Sequence, residues 1–267
     1  MDSSLARRIA VSEDVCSAFG CDVNHYKEYA TITYSDCIYG WNINQVRLIN
    51  CQRDVNGLVS RIEESMEWPS RQYSIYTDFR TNPQNVAACL RESGYRPIPL
   101  LTQVFKGEKV EPHEIWPVES VNQGNMSMWE ELVFNIYMDA ESGVNFANDM
   151  VLFGKKKMMT EVGNGDFAML VCMDGDIAIG QAEVFTKDGV SSIGNIYVRG
   201  KYRNHGVATN LVYAGLEHAK KMGSEDFYLV TYSFDTPRYA YNKMGFHDLF
   251  EGILWAKLDD DQFDMVF

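Results

Sequence analysis

The stretch Ile196-Tyr197-Val198-Arg199-Gly200-Lys201-Tyr202-Arg203-Asn204-His205-Gly206-Val207-Ala208-Thr209 decides how this chain is read. It opens as an apolar strand and then changes period. From Ala208 the positions Ala208, Leu211, Val212, Gly215, Ala219 and Met222 recur on one face of a helix. The stretch is therefore a strand-to-helix junction with a glycine at its turn. A helix N-terminus presents amide N–H groups without helical partners, together with the positive end of the helix dipole, and so favours an anion. Gly206 lets a pyrophosphate come close to the main chain, Arg203 adds charge, and the Thr209 hydroxyl is placed to donate to a phosphate oxygen.

Upstream of the junction, short apolar runs are separated by Asp-Gly turns of the kind that close hairpins. Phe167 to Met173, Ile177 to Phe185 and Ile193 to Val198 read as a three-stranded meander, turning at Asp174-Gly175 and Asp188-Gly189. Downstream, Gly223 ends the helix and Phe227 to Tyr232 reads as a strand. A short helix over Thr236 to Met244, opened by Pro237, and a terminal strand or pair over Phe246 to Leu258 follow. Short helices at Trp129 to Tyr137 and Asn145 to Leu152, after an extended Ile115 to Val121, complete one unit. The fold class is α/β, an α+β mixed sheet.

The junction resembles the Gcn5-related N-acetyltransferase (GNAT) superfamily, whose pattern here is Arg/Gln-x-x-Gly-x-Gly/Ala; Arg203, Gly206 and Ala208 meet it. A second family element, Tyr-x-x-x-Gly-Phe, is met in order and at the right distance by Tyr241-Asn242-Lys243-Met244-Gly245-Phe246. The conjunction of strand, loop, helix and second motif carries far more weight than six residues alone.

The resemblance implies a sheet that splays open between the strand ending at Val198 and the strand of residues 227 to 232, with the pantetheine of acetyl-CoA in the opening. It implies that backbone groups of Tyr197 and Val198 bond the pantetheine arm. Arg203, Asn204, His205, Gly206, Val207, Ala208 and Thr209 would surround the pyrophosphate, with the His205 side chain facing solvent. Transfer is direct, and proximity supplies much of the acceleration. Tyr241 is the general acid for the departing thiolate, and Glu183 on the middle strand is the candidate base for the amine. Two positions depart from the family: Ser192 stands where some members carry a catalytic Glu, and Phe234 stands where an Asn is frequent. The alternative reading is a non-catalytic acyl-CoA sensor or a protein-interaction module.

The first 106 residues echo the same order more weakly. Strands are expected at Ala30 to Tyr34, Gln45 to Asn50 and Gln72 to Asp78, with helices at Gly57 to Met66 and Gln84 to Arg91. Glu92-Ser93-Gly94-Tyr95 parallels Asn242-Lys243-Met244-Gly245-Phe246 and suggests a decayed internal duplication. The counterpart of the phosphate loop, residues 50 to 57, lacks the spaced glycines and carries Asp54 where phosphate would sit. The chain thus reads as a smaller, degenerate GNAT-like domain over 1–110 and a catalytic domain over 113–267, with Gly107 to Pro112 as the linker. The first would border the acceptor side of the second as a specificity element, or buttress it.

Composition narrows the partners. The 267 residues carry a formal charge of -13. That acidity opposes phosphate backbones and anionic lipid, so neither nucleic acid nor membrane is expected. Residues 1 to 112 hold 12 basic and 14 acidic side chains against 12 and 23 in the remainder, a field that favours a cationic amine on a small molecule or peptide. The six cysteines lack a C-x-x-C pair and read as reduced, with Cys172 a small buried residue. His25, His113, His218 and His247 are too scattered for a metal set. Lys155-Lys156-Lys157 reads as a helix C-terminal cap, and Asp259 to Asp261 with Asp264 as a solvated acidic tail. No apolar run reaches the roughly 20 residues of a membrane span. A cytoplasmic enzyme acting as a monomer or homodimer is expected.

Overall fold

The structure is a computed structural model that describes residues 3–37, 40–49, 57–68, 71–81, 83–107, 116–139, 143–160 and 166–258. It divides into two compact units that interleave along the chain. The larger comprises Met1–Gly20, Gln103–Val230 and Thr236–Leu249, the smaller Cys21–Thr102, Thr231–Asp235 and Phe250–Phe267. A split near residue 110 would be linear, whereas these units exchange both chain ends. Most of the Gly107 to Pro112 linker, the counterpart loop over residues 50–56 and the acidic tail lie outside the described residues.

In the larger unit, helix α1 (Ser3–Ala18) comes from the chain's beginning. The meander is present as β7 (Asp166–Asp174), β8 (Ile177–Lys187) and β9 (Val190–Val198), all antiparallel, with β6 (Val118–Ser120) pairing β7 on its outer edge. Gly175 and Gly189 take positive φ at the two Asp-Gly turns, as such hairpins require. Helices α4 (Met126–Asp139) and α5 (Val144–Met159) precede the meander; α6 (Val207–Lys221), β10 (Asp226–Tyr232), α7 (Pro237–Lys243) and β11 (Phe246–Ala256) follow. Side chains alternate across β8. Ala182 and Val184 join Leu211, Val212 and Leu216 of α6 in one core, while Gln181 and Glu183 face the opposite side. There Gln181 accepts a hydrogen bond from the buried Trp129 of α4, and Phe19, just past α1, packs on Phe185.

The smaller unit holds strands β1 (Asp22–His25), β2 (Tyr29–Thr33), β3 (Gln45–Leu48) and β4 (Ser74–Thr77), with helices α2 (Leu58–Ser65) and α3 (Pro83–Glu92). Strand β5 (Arg96–Phe105) begins there and ends in the larger unit. The last part of β11 pairs antiparallel with β4, placing the buried Trp255 opposite Ile75, where its indole donates to Thr77 at 2.9 Å. Leu58, Val59 and Ile62 of α2 and Val86 and Leu90 of α3 cover this core.

Candidate active site

The site is built where β9 leaves β10. These parallel strands pair only through Val190, Ser191 and Ser192, opposite Asp226, Phe227 and Tyr228. Beyond Ser192 the pairing ends, although β9 runs on to Val198. The cause lies on the other edge of β9. Its register with β8 holds from Lys187 opposite Val190 to Glu183 opposite Gly194, then shifts by one before Gln181 meets Tyr197. The extra residue is a β-bulge at Asn195, whose φ of 49° is left-handed, a region asparagine tolerates better than most residues. A bulge bends its strand and raises its twist, which turns the second half of β9 away from β10 and frees that edge. The central strands are therefore splayed.

At the end of β9 the chain makes one tight turn over Gly200–Tyr202 and enters α6 through Arg203 to Gly206. Asn204 and Gly206 both have positive φ, 63° and 84°. The ladder of α6 opens with Asn210 N–H donating to Gly206 O, so the amides of residues 206 to 209 precede it without a helical acceptor. No side chain caps them. The loop is held from behind. The Trp116 indole donates to His205 O at 3.0 Å, the buried Asn210 amide donates to Trp116 O at 2.8 Å, and Tyr202 OH donates to Asp174 at 2.7 Å. His205 Nδ1 donates to Arg203 O at 2.7 Å, and the Arg203 Nε–H donates to Val198 O at 3.2 Å. The Arg203 head thus stays over the strand end. Gly180 permits the close packing, since a Cβ there would lie 2.8 Å from Tyr197 O and 3.1 Å from both Val207 and Leu211.

Arg203, Asn204 and His205 are exposed, Gly206, Ala208 and Thr209 half-buried, and Val207 buried in the core. Tyr241, in α7's last turn, packs half-buried against the same cluster as Val198 and Val207, edge-on to Phe246 at 6.3 Å. Its helix is pinned by Gln103, a fully buried amide whose Nε2 donates to Asn242 Oδ1 at 2.5 Å and Asp248 Oδ1 at 2.8 Å. Val198, Val207 and Tyr241 thus pack into one core cluster of the larger unit, whereas the Tyr197 side chain packs with Leu132, Val171, Met173 and Ala178.

Glu183 lies on the face of β8 opposite the core shared with α6. Its Oε2 pairs with Lys157 Nζ at 2.5 Å, and its Oε1 accepts from Asn195 at 3.1 Å. It is thus an ion-paired support of the bulge rather than an open strand carboxylate. Lys157 is itself 8% exposed and lies over the rings of Phe153 and Phe167. Lys156 and Lys157 end α5 as a cap would, but Lys157 points inward. A readable signal was available, because Ala147, Met150, Gly154 and Lys157 continue the buried face of α5 at helical spacing. Sequence reasoning also missed α1, which brings Ser12, Glu13 and Cys16 beneath the closed end of the two strands. Cys172 is buried in β7, and burial pushes its thiol up to about 12, which keeps it protonated and unreactive. Among the described residues no cluster of metal-ligating side chains occurs, and no helix is long and apolar enough to cross a membrane.

Residues 130–246 match the acetyltransferase (GNAT) family. No curated protein matches the chain by sequence. Solved structures share its fold at low identity. A conserved protein of unknown function from Staphylococcus epidermidis is 14% identical with a TM-score of 0.69, over 90% of this chain and 94% of that one. A GCN5-related N-acetyltransferase from Kribbella flavida is 12% identical with a TM-score of 0.67, over 96% and 97%. A tandem GNAT protein from the clavulanic acid biosynthesis pathway is 12% identical with a TM-score of 0.59, over 87% and 79%. These likenesses establish a GNAT fold spanning most of the chain.

Proposed function

We propose that this chain, which carries a GNAT-family acetyltransferase domain at residues 130–246, moves an acetyl group from acetyl-CoA to a primary amine of a small molecule or peptide. The observation that carries the reading is the junction of β9 and α6: uncapped amides, Arg203 at the strand end, and a β9 edge freed by its bulge. The amides and helix dipole suit a pyrophosphate, and the open strand edge suits the amide-bearing pantetheine arm.

In this reading Tyr197 and Val198 bond the pantetheine through their backbone, and residues 203 to 209 hold the diphosphate. The amine attacks the thioester carbonyl directly, and Tyr241 gives its proton to the departing thiolate. Glu183 takes the part of a positioning carboxylate, since its oxygens hold Lys157 and the bulge residue Asn195. The acidic C-terminal part favours a cationic acceptor by steering. The site of action is proposed to be the cytoplasm, with the enzyme a monomer or homodimer.

Two measurements test this. Acetyl-CoA raises the melting temperature of the parent, and Gly206→Glu removes that shift. Free thiol is released from acetyl-CoA in the presence of a primary-amine panel, and Tyr241→Phe suppresses the release. A parent without a thermal shift defeats the reading. Binding without turnover across a wide panel replaces it with an acyl-CoA sensor.

A further inference from the structure

At the apex of the opening, where β9 and β10 are last paired, the facing residues are Ser192 and Tyr228. Both carry hydroxyls, and both are buried, Tyr228 completely. The Tyr228 phenol donates to Glu13 Oε2 at 3.1 Å and lies 3.5 Å from Ser12 Oγ. Ser192 stands beside Tyr228 across the strand pair, both side chains on the face that Cys16 of α1 approaches. Glu13 Oε1 accepts from Ser17 at 3.1 Å. A hydroxyl, a phenol and a carboxylate thus form a row from the strand apex to the half-buried Glu13. The carboxylate comes from α1, a helix outside residues 130–246.

We infer that this row carries away the proton lost by the acceptor amine, with Ser192 receiving it and Glu13 holding it at the end. The inference rests on the acyltransferase reading. As the amine nitrogen bonds the thioester carbon, its N–H proton passes to Ser192 Oγ. Ser192 passes its own proton to the Tyr228 oxygen, and Tyr228 passes its own to Glu13. Serine and tyrosine end neutral as they began, Glu13 becomes a carboxylic acid, and the proton later leaves to solvent. On the other side the C–S bond breaks and the thiolate takes the Tyr241 proton. Glu13 and Tyr228 do not meet the substrate; they act through Ser192 and position its lone pair.

The surroundings suit this role. Burial first, then the charge of Glu13, pushes the Tyr228 phenol up, so it stays a neutral donor. Burial, reinforced by Glu13, pushes the Cys16 thiol up to about 12, leaving it protonated beside Ser192. The other charged groups near this row are Lys157 of α5 and Glu183 of β8, which pair with each other, and Arg8 of α1, which pairs with Asp226 of β10 at 2.9 Å.

The test uses the full chain and whichever amine of a primary-amine panel the parent acetylates fastest. Glu13→Gln is expected to lower kcat about 10²-fold with KM for acetyl-CoA unchanged, and to remove the acidic limb of the pH profile. Glu13→Asp restores part of the rate. Tyr228→Phe matches Glu13→Gln, and the double variant is no worse than either, as members of one relay require. Additive losses, or an unchanged pH profile, overturn the inference. A second readout needs no turnover: the Glu13 carboxyl is titrated by carbon NMR in the ligand-free protein. Tyr228→Phe is expected to raise its midpoint by removing a donor to the charged form, and an unmoved midpoint breaks the relay outright. A parent that acetylates no amine defeats the acyltransferase reading and the relay with it, whereas the NMR result judges the row alone.

Discussion

Two strand–turn–helix–strand passages in this chain share a plan and differ in one respect. In the larger unit β9 leads to α6 and then to the parallel β10; in the smaller unit β3 leads to α2 and then to the parallel β4. Gly206 and Gly57 stand at the two helix starts with φ of 84° and 71°, neither helped by a capping side chain. Gly245 and Gly94 follow the next helices with φ of 91° and 87°, each before a buried aromatic, Phe246 or Tyr95. The short strand β3 pairs with β4 through Gln45, Val46 and Arg47, and Arg47 covers the Tyr76 ring at 4.0 Å. The longer β9 pairs through three residues and then bends away at a bulge. A closed pair has no strand edge left for a ligand. One extra residue in a longer strand makes the opening.

The sharpest way to break this comparison is to place the same charge at both helix starts. Gly206→Glu sets a side chain and a negative charge among the uncapped amides and is expected to abolish stabilisation by acetyl-CoA. Gly57→Glu is expected to leave that stabilisation intact, which differential scanning calorimetry with and without acetyl-CoA reads directly. Loss of the shift in both variants would mean that the passages are not functionally distinct. The next largest effect concerns chemistry. Five residues before each aromatic stands Tyr241 in one passage and the buried Leu90 in the other. Only the first carries a hydroxyl. Tyr241→Phe is therefore expected to lower kcat by about 10²-fold, with acetyl-CoA affinity by isothermal titration unchanged.

Much of the larger unit was legible because its signals are local. The Asp-Gly turns, the change of period at residue 208 and the Tyr241 to Phe246 motif each occupy a few neighbouring residues. What escaped depends on partners far along the chain. The buried stripe of α1 is Ala6, Ile9, Ala10 and Ser12, too small and polar to announce a helix, and its partner Tyr228 lies more than 200 residues later. Strand β5 contains Pro97 and Pro99, which read as breakers, and Pro99 O accepts from both the amide and the hydroxyl of Ser233. The opening was expected from the family resemblance, but its cause was not, because a bulge is visible only once β8 is laid against β9.

A smaller effect tests what supports the bend. Lys157 and Glu183 form a largely buried pair beneath the bulge, and removing one partner strands the other charge. Lys157→Met is expected to cost roughly 3 kcal/mol in urea unfolding, the range for breaking such a pair.

The smallest expected effect separates backbone strain from ligand binding. Gly57→Ala and Gly206→Ala each place a Cβ on a residue with positive φ, and each is expected to cost about 1 kcal/mol of stability. At Gly57 the added Cβ would come only to 3.5 Å from the end of the Arg61 side chain. The two variants should therefore lose stability alike, because the same left-handed turn starts both helices. They should differ in acetyl-CoA affinity, which Gly206→Ala weakens by crowding the amides and Gly57→Ala leaves unchanged. Equal stability losses with unequal affinities would show that the passages share a backbone device and that only the one beside the bulged strand binds. Equal affinities would mean that the β9 edge, rather than the helix start, holds the co-substrate.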